Sequence, residues 1–418
     1  MALGRFDYAI ESVKLLSSTG ESLEMKDLVI SLDIYESLLS PYIKVELGVV
    51  DAANFIETAP IIGQEKVELT FTEGGKRIKK TLYVGGIDGY VRPNNQAATY
   101  TLKLITPEQM MNGLLLVSQA YSGTVSKAID GIVTDYLKSK VKTLEETNGN
   151  YKVIIPNWNP FKAIDWLQRR AITAKQIPFA FYETYMDGFA LESYETMFKK
   201  PTYAKFVHKG GNQGKDDAES LKASYNVAID YDLRDYSNTY KQVLTGAFGS
   251  GMHTVDIASR EYKFLKYDYM EDFKKKPRMD KVPFINEDFK IDNKSLNQYD
   301  SIHSIANKNQ FSFEDSLQNY NNEVQFTKLE ADPFVQQLTL TKMNITVRGR
   351  TDLTPGKMIE FEVDRDKPIV HGNIKDSNEY ISGKYLVMNV RHKMVDGKYT
   401  IVMDCVRDSL GKKVKKRG

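Results

Sequence analysis

The sequence predicts an α+β, multidomain chain in which two small antiparallel β-barrels accompany a mixed α/β domain and an inserted domain. Three observations lead there. The stretch from Leu353 to Arg407 carries strands whose pairing can be worked out from one turn; residues 1–106 alternate apolar and polar side chains over several short runs; and between these stretches apolar residues recur at helical spacing. A chain of 418 residues is also too long for one simple core, and about 150 residues per domain gives about three.

In the first 106 residues Val67, Leu69 and Phe71 alternate, Gly74-Gly75 turns the chain, Leu82 and Val84 alternate back, and Tyr100, Leu102 and Leu104 form another half-buried strand. Gly85-Gly86 and Gly89 interrupt the pattern where a small barrel has to bend sharply. Thr106 is then a helix N-cap, with Pro107 at the first helical position and Gln109 completing a capping box. A second helix from about Thr124 places Val125, Ala128, Ile129, Ile132, Val133, Tyr136 and Leu137 on one stripe, and a third from Asn159-Pro160 buries Ala163, Ile164, Leu167 and Ala171. Trp166 lies beside that stripe as a core residue. Phe179 to Thr184 and Phe189 to Thr196 alternate as a hairpin around Asp187-Gly188, so 107–205 reads as one mixed domain.

From Lys205 to Ala218 the chain turns polar and glycine-bearing, as a linker does. Ser224 to Asp230, Tyr240 to Thr245 and Met252 to Ala258 follow as strand-like stretches. Residues 266–334 are rich in Lys, Asp, Asn and Tyr with little periodicity until Asn322 to Leu329, and read as an inserted domain that splits the second barrel into 206–265 and 335–410. Leu338 and Leu340 point one way, then Met343, Ile345 and Val347 continue in the opposite phase, which predicts a β-bulge near Thr341 or Lys342. Leu353-Thr354-Pro355-Gly356 is a turn before a strand from Lys357 to Val363, and Gly383 opens another. Asp396-Gly397 is a two-residue hairpin turn. With Val395 opposite Lys398, one face pairs Met394/Tyr399, His392/Ile401, Val390/Met403, Met388/Cys405 and Leu386/Arg407. The other pairs Lys393/Thr400, Arg391/Val402, Asn389/Asp404 and Val387/Val406. The first set is almost wholly apolar, which locks the register.

These C-terminal motifs, Leu353 to Lys357, Gly383-Lys384-Tyr385-Leu386-Val387 with His392, and Asp396 to Thr400, resemble the final barrel of phage baseplate hub proteins. The relevant family comprises the central hub of T-even-type contractile tails, late control protein D and the valine–glycine-repeat spike of type VI secretion. Asn159 to Leu167 followed by Phe179 to Glu183 and Gly188 to Leu191 is similar to the family's helix and two-stranded unit, and Ile61 to Leu69 to the opening strand of its first barrel. The matches fall in order along most of the chain. The resemblance implies a first hub β-barrel at 1–106, a second at 206–265 plus 335–410, and a homotrimer whose six barrels form a pseudo-sixfold ring. It implies a structural role, with the ring adapting a hexameric tail tube to a trimeric central spike within the virion, after assembly in the bacterial host cytoplasm. The implied partners are the spike, as a separate polypeptide, the tube, neighbouring baseplate proteins and the tape measure protein.

Composition is compatible with that reading. Apolar residues make up 41% and charged residues 27%, as in an ordinary folded protein. Lys+Arg 57 against Asp+Glu 55 supplies no overall field for sequence-specific nucleic-acid binding. The tail, 411–418, concentrates five of those positive charges at Lys412, Lys413, Lys415, Lys416 and Arg417, leaving 52 against 55, a net −3, elsewhere; a solvated terminus is the expectation. Cys405, the lone cysteine, falls on the inferred core face, so no intrachain disulfide forms. The amino terminus lacks the apolar segment of a secretory signal, and no run approaches the ~18 apolar residues of a membrane span.

No catalytic, cofactor-binding or metal residues are expected. His208, His253, His303, His371 and His392 are scattered, so a metal site would require distant residues to converge by folding. Gly210-Gly211-Asn212-Gln213-Gly214-Lys215 departs from a phosphate loop at Lys209 and at Asp216. Asp230, Asp232 and Asp235, and separately Asp364 and Asp366, read as solvated charges, with Arg234 on the face of Asp230 and Asp232. Were the protein instead a tail-associated carbohydrate-cleaving enzyme, Asp230, Asp232 and Asp364 would supply its acids; a tube or receptor-binding component is the other alternative. Many of the 25 tyrosines cluster between Tyr225 and Tyr269, suiting either strand filling or subunit contact.

Overall fold

Alternation with a two-residue period dominates the chain and produces sheets, which a short run of helices interrupts. The computed structural model describes residues 8–17, 20–52, 56, 61–94, 97–208, 226–235, 238–257, 260–307, 325–363 and 380–411. The first half supplies β1 (Tyr8–Leu16), β2 (Ser22–Glu24), β3 (Val29–Ser37), β4 (Lys44–Asp51), β5 (Lys66–Glu73), β6 (Lys76–Asn94) and β7 (Ala97–Ile105), paired antiparallel in the order β3-β4-β7-β6-β5-β1-β2. Val67, Leu69, Phe71, Leu82, Val84, Tyr100, Leu102 and Leu104 are all buried, as their alternation requires. The ladder of β6 shifts register at Val84/Gly86 and at Asp88/Val91, the stretches where the glycines stand.

The middle of the chain forms α1 (Pro107–Leu114), β8 (Val117–Gly123), α2 (Val125–Asp135), β9 (Val141–Leu144), β10 (Tyr151–Trp158), α3 (Pro160–Gln168), β11 (Phe179–Thr184), β12 (Gly188–Ser193) and α4 (Tyr194–Lys199). Thr106 Oγ1 accepts from Gln109 N at 3.2 Å, but Gln109 Oε1 is buried without a partner, so the capping box lacks its return bond. The stripes of α2 and α3 pack on the β11–β12 hairpin in a core of their own, and Trp166 packs partly buried against it. β9 joins β12 in parallel.

Next come β13 (Lys205–His208), β14 (Asp230–Asp235), α5 (Thr239–Leu244), β15 (Gly249–Asp256), β16 (Glu261–Asp268), α6 (Tyr269–Lys275), β17 (His303–Asn307), α7 (Asp332–Leu338), β18 (Thr341–Arg348), β19 (Met358–Val363), β20 (Gly383–Val395) and β21 (Lys398–Arg407). Several expectations are corrected here. Residues 205–208 are a strand instead of linker, because Phe206 is fully buried and the ladder to β19 satisfies the backbone. Tyr240 to Thr245 falls largely in a helix, capped by Asn238 accepting from Lys241 N at 3.3 Å. The phase change before Met343 is not a bulge: Leu338 ends α7, and β18 pairs with β21 without a shift from Thr341 onward. Residues 249–256 pair with β16 and β17 in a separate three-stranded sheet, so the boundary read at 265/266 falls inside β16.

The C-terminal hairpin keeps the expected register from Val395/Lys398 through Asn389/Asp404. Below that, a bulge at Met388 replaces the expected Met388/Cys405, Leu386/Arg407 and Val387/Val406 pairs with Val387/Cys405 and Leu386/Val406. The physical reason is competition for backbone groups. Met388 O accepts from Leu38 N at 3.0 Å, while Val387 exchanges bonds of 2.9 Å with Gly356 N and Lys357 O.

β20 is the strand on which the molecule turns. It pairs with β21 along one edge; along the other it pairs with β19 near its start and with β3 near its end. The strands expected in two barrels are thereby joined into a thirteen-stranded sheet, and no ladder closes on itself among the described residues. A single apolar cluster runs through both halves, from Leu32, Ile34, Val45 and Leu47 to Val390, Met394, Ile401 and Met403.

Candidate assembly surface

The seam between the halves is built from alternating positions. Asn389 through Val395 of β20 lie antiparallel to Ser37 through Ser31 of β3. One set of side chains faces outward and is polar: Ser37 Oγ donates to Asn389 Oδ1 at 2.6 Å, Asn389 Nδ2 to Asp404 Oδ2 at 2.9 Å, and Arg391 Nε to Asp33 Oδ1 at 2.8 Å. The hydrogen bond from Arg391 to Asp33 holds that guanidinium above its ordinary range. A groove of about 850 Å³ follows the seam, lined among others by Tyr35, Leu39, Arg234, Asn389 and Arg391. Its walls carry charges of both signs, Glu36, Glu46 and Asp404 beside Lys44, Arg234 and Arg391.

The other set faces inward. His392 Nδ1 lies 2.8 Å from Tyr399 OH, and its Nε2 is 3.8 Å from the buried carboxylate of Glu36, which accepts from Tyr185 N at 2.6 Å. Residues of both halves and of the middle domain meet in that cluster. A second tie is Glu183, 2% exposed, which accepts from Ile43 N at 3.2 Å and lies 3.5 Å from Lys80 Nζ. Burial pushes its carboxyl up to about 7, with Lys80 opposing.

The module between β14 and β18 is held on by buried charge. Arg278 donates to Asp272 at 2.8 Å and to Gln337 at 2.7 Å, stands 3.6 Å from Asp408, and its guanidinium lies 4.9 Å from the Phe334 ring centre. Lys276 completes the network with Asp272 at 2.7 Å and Glu330 at 3.0 Å. Such a network is costly to break, since removing one partner leaves the others buried and unpaired.

The structure separates the sequence candidates. Asp230 and Asp232 are exposed on β14, with Arg234 3.6 Å from Asp232. Asp364, Asp366, His371, the run Gly210 to Lys215 and the basic residues Lys412 to Arg417 lie outside the described residues. Cys405 is fully buried, and that burial pushes its thiol up. Of the clustered tyrosines, Tyr267 and Tyr269 are core while Tyr240 and Tyr262 are exposed. His208 caps β13 with Nδ1 3.2 Å from Ala228 O. His253 and His303 do converge, on the parallel pair β15 and β17, with a closest nitrogen separation of 3.4 Å. Nothing local in the sequence signals that, because the two lie 50 residues apart. Among the described residues no helix is long and apolar enough to cross a membrane.

A thirteen-stranded sheet, a helical middle domain with its own core and a separate three-stranded sheet make up the described fold. The chain matches no protein-family model and no curated protein. Among solved structures, a tail protein from Neisseria meningitidis MC58 superposes with a TM-score of 0.54 at 12% identity, over 96% of this chain and 97% of that one. The 43 kDa tail protein of prophage MuSo2 from Shewanella oneidensis gives 0.53 at 12% identity, over 95% and 98%. A PdpA–VgrG complex from Francisella gives 0.44 at 10% identity, over 100% of this chain and 55% of that one. The likeness to phage baseplate hub proteins read from the sequence thus holds as far as a fold shared with these two tail proteins.

Proposed function

We propose that this chain is the structural hub of a phage tail baseplate, a homotrimer whose pseudo-sixfold ring adapts the hexameric tail tube to the trimeric central spike. The observation that carries the reading is the β3–β20 seam, which joins two strand units of similar size edge to edge inside one chain. Three copies then supply six units, and a closed ring needs such surfaces on each unit instead of a cleft. Each unit is read as a hub-type barrel. In the first, Met25 N donates to Val13 O at 2.8 Å, folding the link between β2 and β3 back on β1. In the second, Val207 N donates to Asn226 O at 2.9 Å and Ala228 N to Val207 O at 3.0 Å, bringing β13 against the lead-in to β14. Whole-length likeness to tail proteins supports the same reading.

On this reading the helical middle domain and the module between β14 and β18 decorate the ring, the spike, tube, neighbouring baseplate proteins and tape measure protein are its partners, and the virion is its place. Solution mass together with class-averaged images tests it. The expected particle has three times the 47.6 kDa mass of one chain and shows six lobes in threefold arrangement. A particle that stays monomeric, or pairs about a twofold axis, when mixed with its own spike and tube proteins overturns it.

A further inference from the structure

We propose that His253 and His303 form a two-imidazole chelate for a divalent transition metal on the open face of the β16–β15–β17 sheet. The two nitrogens that face each other, His253 Nε2 and His303 Nδ1, are 3.4 Å apart. At Zn–N distances of about 2.0–2.1 Å and tetrahedral angles, two ligating nitrogens stand about 3.3 Å apart, so the pair already spans one edge of a metal tetrahedron. The rings lie 5.6 Å apart between centres at an interplanar angle of 24°, so each imidazole turns about its side-chain bonds to bring its lone pair onto the ion.

The surroundings fix that geometry. His253 Nδ1 lies 2.6 Å from Tyr262 OH. With Nδ1–H donating to the phenol oxygen, Nε2 is left with its lone pair outward, the arrangement that outer partners impose on metal-bound imidazoles. Phe264 stands under both rings, 4.6 Å from His253 and 5.8 Å from His303 between centres, the latter at an interplanar angle of 8°. Gly251 makes room for this stack: a Cβ there would come within 2.8 Å of the Phe264 ring and 3.1 Å of His303 Nδ1. Lys266, next in line, has its charge paired with Asp300 at 2.7 Å. The remaining coordination positions face solvent, since His303 is exposed and His253 half-buried. Two neutral imidazoles favour Cu²⁺, Ni²⁺ and Zn²⁺ over Mg²⁺ or Ca²⁺.

Calorimetric titration of the untagged full chain with Zn²⁺, and separately with Ni²⁺, tests the assignment. One saturable equivalent is expected, no binding of Mg²⁺ at the same concentrations, and at least ~10-fold weaker Zn²⁺ binding in His253→Ala and in His303→Ala. Tyr262→Phe and Gly251→Ala keep both ligands and are expected to weaken binding by roughly 10-fold, through loss of orientation and of the stacked cradle. On the unaltered chain, Zn²⁺ should shift the ring resonances of His253 and His303 together, a readout that does not depend on how a variant folds. Absence of saturable binding, Zn²⁺ affinity in both histidine variants equal to that of the unaltered chain, or ring resonances that stay in place would each overturn the site.

Discussion

Glu183 shows how far packing can move a residue's chemistry from what its position in the sequence suggests. It looks like an ordinary polar position of a hairpin, yet its carboxyl is sealed between the middle domain and the first half of the large sheet. Its folded value of about 7 lies above the ordinary 4.5, so between those values the folded chain holds a proton that the unfolded chain has lost. Stability is therefore highest below 4.5 as far as this group is concerned, and falls by about 1.4 kcal/mol per unit as pH rises to about 7. Glu183→Gln should flatten that slope in denaturation midpoints measured from pH 5 to 8; an unchanged slope would show that Glu183 does not govern it. Gly349 makes a steric demand of a simpler kind. Any Cβ there collides with the Tyr399 ring, so Gly349→Ala should destabilise by about 1–3 kcal/mol through forced repacking, read as a lowered midpoint. Single residues were legible where a strand face decided them, as with Cys405 and the hydrogen-bonded His392. The Glu183 tie and the His253/His303 pair were not, because long-range packing creates both.

At the scale of elements, local rules worked wherever a turn fixed the geometry. Asp396 and Gly397 have φ of 50° and 71°, both left-handed, as the two-residue hairpin turn demands. Gly397→Ala should cost about 1–2 kcal/mol, since an L side chain pays for that conformation; denaturation of the variant beside the parent measures it. The register read from this turn holds for seven pairs and fails at Met388, where Leu38 N claims a carbonyl that the hairpin alone would have kept. Leu338, Leu340 and Met343 were misread for a related reason. A helix end running directly into a strand produces the same change of phase as an inserted residue, and periodicity cannot tell the two apart. The strand at Lys205–His208 was hidden by the polar run that follows it, although Phe206 already marked an inward-facing position.

For the whole molecule, the pairing of β3 with β20 makes the two ends of the chain one mechanical object. Strands separated by more than 350 residues share a ladder, and the apolar cluster beneath is continuous from Val13 to Cys405. The middle domain keeps a core of its own around Ile129, Ile164 and Leu191. Cooperativity follows shared burial, because neither half can lose its strands without exposing the cluster that the other also covers. The amides of Leu32 and Ile34 in β3 should therefore exchange with solvent at the same free energy as those of Val390 and Met394 in β20, and both sets should respond equally to denaturant. Hydrogen exchange followed residue by residue reads this directly. If β20 opens while β3 stays protected, the halves are separate folding units that merely touch, and the seam no longer supports the proposed six-lobed ring.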